Sequence, residues 1–123
     1  MGVDVKYCEE LNYVEIIYNG NVAKDDLIAA FETSFETATK NNTQRYLADC
    51  TNLTGGHSVF DLYSLIGLFQ QYKVPHTIRE AIILPELDKM KENVAFYETA
   101  AENRGYIVKL FRTKYEALLW LSK

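Results

Sequence analysis

The stretch Ala101-Glu102-Asn103-Arg104-Gly105-Tyr106-Ile107-Val108-Lys109-Leu110-Phe111-Arg112-Thr113-Lys114-Tyr115-Glu116-Ala117-Leu118-Leu119-Trp120-Leu121 decides the fold. Gly105 follows a segment of helical pattern, and a residue free to take positive φ ends a helix cheaply. Arg104 puts a cation in the last turn, where it complements the helix dipole. Tyr106 to Phe111 predicts a strand, and Thr113 with Glu116 three residues on forms a capping box that opens a final helix, with Trp120 expected as its core anchor. A strand held between a helix stop and a helix start is one step of an open α/β sheet.

Working back from that block, Asp88 begins a long helix with Met90, Val94, Tyr97 and Ala101 at helical spacing. Before it, Arg79-Glu80-Ala81-Ile82-Ile83-Leu84 is a near-continuous apolar run stopped by Pro85, the pattern of a parallel strand buried on both faces. Ser58 and Asp61 make a second capping-box pattern and start a helix over 59–72. That helix carries Phe60, Leu62, Tyr63, Leu65, Ile66, Leu68, Phe69 and Tyr72, so it is apolar around most of its circumference. One stripe (Leu62, Leu65, Ile66, Phe69) suffices for the core side of a surface helix, so the remaining aromatics call for a second neighbour: another element, a ligand or another subunit.

Further upstream, Arg45 to Cys50 predicts a short strand running into a long polar loop, Thr51 to His57. Leu27, Ile28, Phe31, Phe35 and Ala38 recur at helical spacing and predict the first helix, preceded by a turn at Asn19-Gly20-Asn21. Alternation in Val3, Val5, Tyr7 and in Val14, Ile16, Tyr18, around a break at Leu11-Asn12, predicts an opening antiparallel hairpin. The order is ββαβαβαβα, an α/β chain of five strands and four helices forming a single domain over 1–123, with no internal repeat or linker.

Composition narrows the function. The net charge is −4 and the basic residues are scattered, so no stripe exists to neutralise a row of phosphates and no nucleic-acid partner is expected. No apolar stretch approaches the roughly 20 residues of a membrane span, and the start lacks the pattern of a signal peptide. Cys8 and Cys50 read as two reduced thiols in a cytoplasmic protein. No cofactor is called for: Gly55-Gly56 stands alone, without a G-x-G-x-x-G or P-loop. The two histidines, His57 and His76, have neither i, i+4 spacing nor a C-x-x-C companion, so no metal site is expected.

With these residues in view, the chain resembles the SpoIIAA-like or STAS domains (sulfate transporters and anti-sigma-factor antagonists), in their small stand-alone bacterial branch. The resemblance rests on Gly20, Leu47-Ala48-Asp49, Ala81-Ile82-Ile83, Asn103-Arg104-Gly105 and Glu116-Ala117-Leu118-Leu119-Trp120-Leu121, and spans nearly the whole chain. It implies a mostly parallel five-stranded sheet with an antiparallel N-terminal strand. It also implies a Ser or Thr, matching Ser58, that a partner kinase phosphorylates to switch binding to an anti-sigma-like regulator. Where the family's switch reads Asp-Ser-Ser-Gly, this chain reads His57-Ser58-Val59-Phe60. A capping serine needs no other reason to occupy Ser58.

Open α/β sheets take ligands at the carboxyl ends of their strands, which here offers Asp49, Thr51, Thr54, His57 and Ser58 as candidate switch or partner-binding residues. Asp49 also suits a structural task, accepting N–H bonds from the residues that follow. A Cys50–His57 nucleophile oriented by Asp49 fails on strand geometry, since adjacent residues face opposite sides. The expected function is therefore non-enzymatic: a protein-interaction or regulatory module, with self-association into a homodimer as one form. The alternative is a carrier or sensor of a small apolar, lipid-like ligand, since the resemblance extends to CRAL-TRIO lipid-binding folds. Phe60, Tyr63, Phe69 and Tyr72 are the candidate contacts in either case; a cavity under the second helix favours the carrier, and an exposed patch the interaction module.

Overall fold

A computed structural model describes residues 2–123. Its elements are β1 (Val3–Cys8), β2 (Tyr13–Asn21), α1 (Lys24–Lys40), β3 (Arg45–Gly55), α2 (Val59–Gln71), β4 (Arg79–Ile83), α3 (Asp88–Glu102), β5 (Ile107–Phe111) and α4 (Lys114–Leu121). The five strands lie in the order β1-β2-β3-β4-β5, with β1 antiparallel to β2 and every later pair parallel. This is the predicted ββαβαβαβα arrangement.

Sequential strand order has a direct consequence for layering. α1, α2 and α3 each cross between parallel neighbours in the same direction, so a common hand of crossover puts all three on one face of the sheet. α4 follows the last strand and covers the other face. Two cores result. The larger, under α1 to α3, contains Val14, Ile16, Ala48, Cys50 and Ile82; the smaller, under α4, contains Tyr13, Leu47, Ala81, Ile83, Ala117 and Leu121. β4 feeds both, as its apolar run predicts. Cys8 packs in the smaller core and Cys50 in the larger, so the sheet separates the two free thiols.

Three local expectations need correction. Asn19-Gly20-Asn21 is not a turn and Thr51 to Gly55 is not a loop: both extend their strands, pairing Asn19 with Asn52, Gly20 with Leu53 and Asn21 with Gly55. Two register shifts make this possible, and Gly20 at φ 69° supplies a backbone conformation that side chains disfavour. Polar residues sit there because this end of the sheet is exposed. On α1 the fully buried stripe is Leu27, Ala30, Ser34 and Ala38, whereas Ile28, Phe31 and Phe35 are half-buried. Small residues let α1 lie close to the sheet, and the larger rings reach sideways toward α2. Finally, Trp120 is only half-buried, and α4 is anchored by Ala117 and Leu121. Trp120 instead stacks under the Arg79 guanidinium at 4.3 Å and lies against Phe111.

α4 is also tied by charge. Glu15, 2% exposed, receives Lys114 at 2.9 Å and Lys6 at 3.4 Å. The bond to Glu15 holds the Lys114 ammonium above its usual range.

Candidate functional site

The carboxyl end of β3 divides the sequence-derived candidates. Even-numbered residues Ala48 and Cys50 face the larger core, so Asp49 and Thr51 point to the α4 side. Asp49 Oδ1 accepts both the Thr51 N–H, at 3.0 Å, and the Thr51 hydroxyl, at 2.6 Å. This is the local structural task predicted for Asp49, and it uses up Thr51 as well. The exposed Thr54 hydroxyl donates to Asn21 Oδ1 at 2.9 Å across the extended β2–β3 pair.

His57 and Ser58 go the other way, to the start of α2. Ser58 Oγ accepts the Asp61 N–H at 3.2 Å, and Asp61 Oδ2 accepts the Ser58 N–H at 2.9 Å, a complete capping box. Those bonds hold the Asp61 carboxyl below its usual range. His57 turns inward: Nδ1 lies 2.7 Å from the Val22 carbonyl oxygen, and Nε2 is buried with no hydrogen-bond partner among the described residues. Gly56 permits this approach, because at φ 95° its missing Cβ would lie 2.6 Å from the Val22 nitrogen.

The four aromatic residues named as candidate interface or ligand contacts also separate. Phe60 is 81% exposed and Tyr63 45%, both on the outer face of α2. Tyr63 meets Phe96 of α3 edge-on and accepts a 2.6 Å bond from Arg104, whose guanidinium lies 4.6 Å from the ring. Phe69 points inward, stacking on Phe31 and meeting Tyr106 edge-on. Tyr72, capping the helix C-terminus, packs edge-on to Phe31 and Phe35 and donates to Glu32.

Beneath α2 lie two cavities of about 50 and 60 Å³ that share Tyr18, Leu65, Glu80 and Tyr97 as walls. The first runs toward Phe31, Phe35 and Phe69; the second toward Leu62, Val94, Cys50 and His57. Tyr97 donates its hydroxyl to Glu80 Oε1 at 2.7 Å. Burial pushes the Glu80 carboxyl up to about 7, against the opposing pull of that hydrogen bond. Burial likewise drives the Tyr18, Tyr46, Tyr97 and Cys50 groups above their usual ranges, so the Cys50 thiol is held in its neutral, unreactive form. Near neutral pH Glu80 can either donate or accept a hydrogen bond inside a space whose walls also carry the polar groups of Tyr18 and His57. Among the described residues no three of His, Cys, Asp and Glu gather as a metal site.

The sequence pattern places Tyr97 in the core but does not single out Glu80. A signal was present nonetheless: a carboxylate inside a strand patterned for burial on both faces must find a partner or keep its proton.

No protein-family model matches the sequence, and no curated protein matches it. Among solved structures, the chain is similar to an uncharacterized protein from the DUF3478 family with a SpoIIAA-like fold, from Shewanella loihica PV-4. The two share 19% identity with a TM-score of 0.62, over 97% of this chain and 91% of that one. The class so defined is the SpoIIAA-like α/β fold, as the residue motifs imply. Among the described residues no helix is long and apolar enough to cross a membrane.

Proposed function

We propose that the chain is a non-enzymatic regulatory module that senses a small apolar ligand and presents α2 to a protein partner. The observation that carries this reading is the division of α2 into two working faces. Leu62, Leu65 and Phe69 wall the cavities, while Phe60 and Tyr63 lie on the outside of the same helix. A ligand that shifts the inner face therefore moves the outer one, and a partner that grips the outer face alters the cavity.

Apolar pockets with a few convergent polar groups and perturbed titrating residues are the natural place to look for a ligand. At about 50 and 60 Å³ the cavities fall short of the roughly 150 Å³ that accommodates benzene, so a single ring enters only by displacing α2. The neutral Cys50 thiol supports binding rather than chemistry. For the partner we favour the outer aromatic face over a phosphorylated Ser58. The Ser58 hydroxyl is engaged as a cap, and a phosphate there would lie beside the Asp61 carboxylate. The partner is a second copy of the chain or a regulator in a reducing, cytoplasmic setting, with the chain acting as one domain.

The test is a screen of single-ring and short-chain compounds by methyl NMR. Binding is expected to shift the methyl signals of Leu62, Leu65 and Val94. A full screen at millimolar concentration that leaves all three in place overturns the reading.

A further inference from the structure

We propose that the outer edge of β1 is a dimerisation surface, on which a second copy of the chain pairs antiparallel across a two-fold axis at Val5 and joins the two sheets into one. The proposal goes beyond the reading above and draws nothing from the cavities or from α2.

β1 pairs with β2 on one side, and among the described residues no strand pairs with it on the other. The Asn19 N–H donates to the Gly2 carbonyl oxygen at 2.7 Å, and Gly2 stands opposite Asn19 in the register that sets Val3 opposite Tyr18. Hydrogen-bonded and non-bonded pairs alternate along an antiparallel ladder. Asp4 and Lys6 therefore bond β2 as Gly2 does, while Val3, Val5 and Tyr7 turn their N–H and C=O groups outward. Such a row is a template for another strand.

Symmetry decides the occupant. A two-fold axis at Val5 sets each residue opposite the one equally far beyond Val5 in the second copy. Val5 then meets Val5 and Val3 meets Tyr7, so every outward N–H faces an outward C=O. At the intervening non-hydrogen-bonded positions, where side chains come closest, Asp4 meets Lys6 twice. Both side chains are exposed: Asp4 has no ion pair among the described residues, and Lys6 remains 63% exposed beside Glu15. The opposite edge of the sheet lacks this match. The middle residue of β5 is the exposed Lys109, and symmetric pairing there would set lysine against lysine.

α1 leaves room for the second copy. It packs on β1 and β2, so with strands about 4.8 Å apart its axis would lie about 10 Å from that of its symmetry mate, a helix-packing distance. Val3, Val5, Asp26, Ala29, Ala30 and Thr33 line the groove between α1 and β1, and all are short enough to let a second helix approach.

Sedimentation of the whole chain in low-salt buffer is expected to show a dimer. Asp4→Lys replaces two attractive contacts with two like-charged ones and is expected to weaken association about tenfold or more. Lys6→Asp does the same with the opposite sign. Mixing the two variants restores both pairs in a heterodimer, which is expected to form where neither variant associates alone. Val5→Pro removes one outward N–H, as edge strands tolerate, and is expected to be monomeric with both charges in place; it carries the test if a charge variant unfolds. Amide exchange reads the register directly. As the wild-type concentration rises, the Val3, Val5 and Tyr7 amides are expected to gain protection, while those of Asp4 and Lys6, already bonded to β2, do not change. A wild type that stays monomeric at millimolar concentration overturns the proposal. So does a dimer that Asp4→Lys and Val5→Pro leave undiminished, a mixture of folded charge variants that stays monomeric, or a Val5 amide that exchanges at the monomer's rate.

Discussion

Tyr97 of α3 and Glu80 of β4 form a 2.7 Å hydrogen bond across the space beneath α2, joining a helix to the central sheet through a carboxyl that holds its proton to about pH 7. A buried acid of this kind makes stability depend on pH in a defined direction. Between the ordinary value of 4.5 and about 7, the folded protein keeps a proton that the unfolded chain has released. Stability contributed by the neutral carboxyl is therefore complete below pH 4.5 and is lost as the pH rises through 7. Glu80→Gln keeps an acceptor for Tyr97 and cannot ionise. It should remove a fall on the order of 3 kcal/mol across that window, so the variant is the more stable protein at pH 8. Urea unfolding at several pH values checks this, and a wild-type curve no steeper than that of Glu80→Gln counts against it.

The capping box at α2 makes a simpler prediction. Ser58→Ala removes the acceptor for the Asp61 N–H and should cost about 1 kcal/mol in chemical denaturation. Ser58→Asp can cap in its place and should retain most of that stability. If Ser58→Ala is as stable as wild type, the cap contributes nothing measurable.

Two glycines should respond oppositely to alanine. Gly67 lies inside α2 at ordinary helical angles with open space around it, so Gly67→Ala should stabilise by about 0.5–1 kcal/mol. Gly56 combines φ 95° with a Cβ position 2.6 Å from the Val22 backbone nitrogen. Gly56→Ala should destabilise by roughly 2 kcal/mol or more and displace His57 from the Val22 oxygen, because neither backbone can yield cheaply. Thermal melts of the two variants side by side give the comparison, and a shift of the same sign in both contradicts it.

Phe60 should be dispensable for folding. At 81% exposure, its replacement in Phe60→Asp should change stability by no more than about 0.5 kcal/mol while shortening retention on a hydrophobic matrix. Sedimentation of both proteins over a concentration series then tests self-association through the outer face of α2, which the aspartate should abolish wherever the wild type shows it. A large drop in melting temperature would mean that the ring is packed after all.

The parts of the fold that are local in sequence were legible. Thr113, Ser58 and Gly105 act on neighbours within a few residues, and the apolar run in β4 reports burial on both faces without reference to any partner. The β2 and β3 ends were not legible in the same way. Asn19-Gly20-Asn21 and Thr51 to Gly55 have turn-like composition, and only their pairing with each other, through two register shifts, makes them strand. The site followed the same rule. Candidates chosen for lying at one strand end were split by side-chain alternation, which sent Asp49 and Thr51 away from His57. Glu80 and Tyr97 are seventeen positions apart, and no local pattern announces their bond.

β4 places its two charges on opposite sides of the sheet. Arg79 donates to the Trp120 carbonyl oxygen at 2.6 Å under α4, while its neighbour Glu80 reaches Tyr97 under α2. Sliding this strand by one residue would turn the guanidinium into the apolar cavity and the carboxylate onto the face of an indole that attracts cations. Ala81, Ile82 and Ile83 are too alike to forbid such a slip by shape alone. The adjacent pair of opposite charges thus works as a key for the register of β4, rejecting the misaligned sheet by stranding both groups at once.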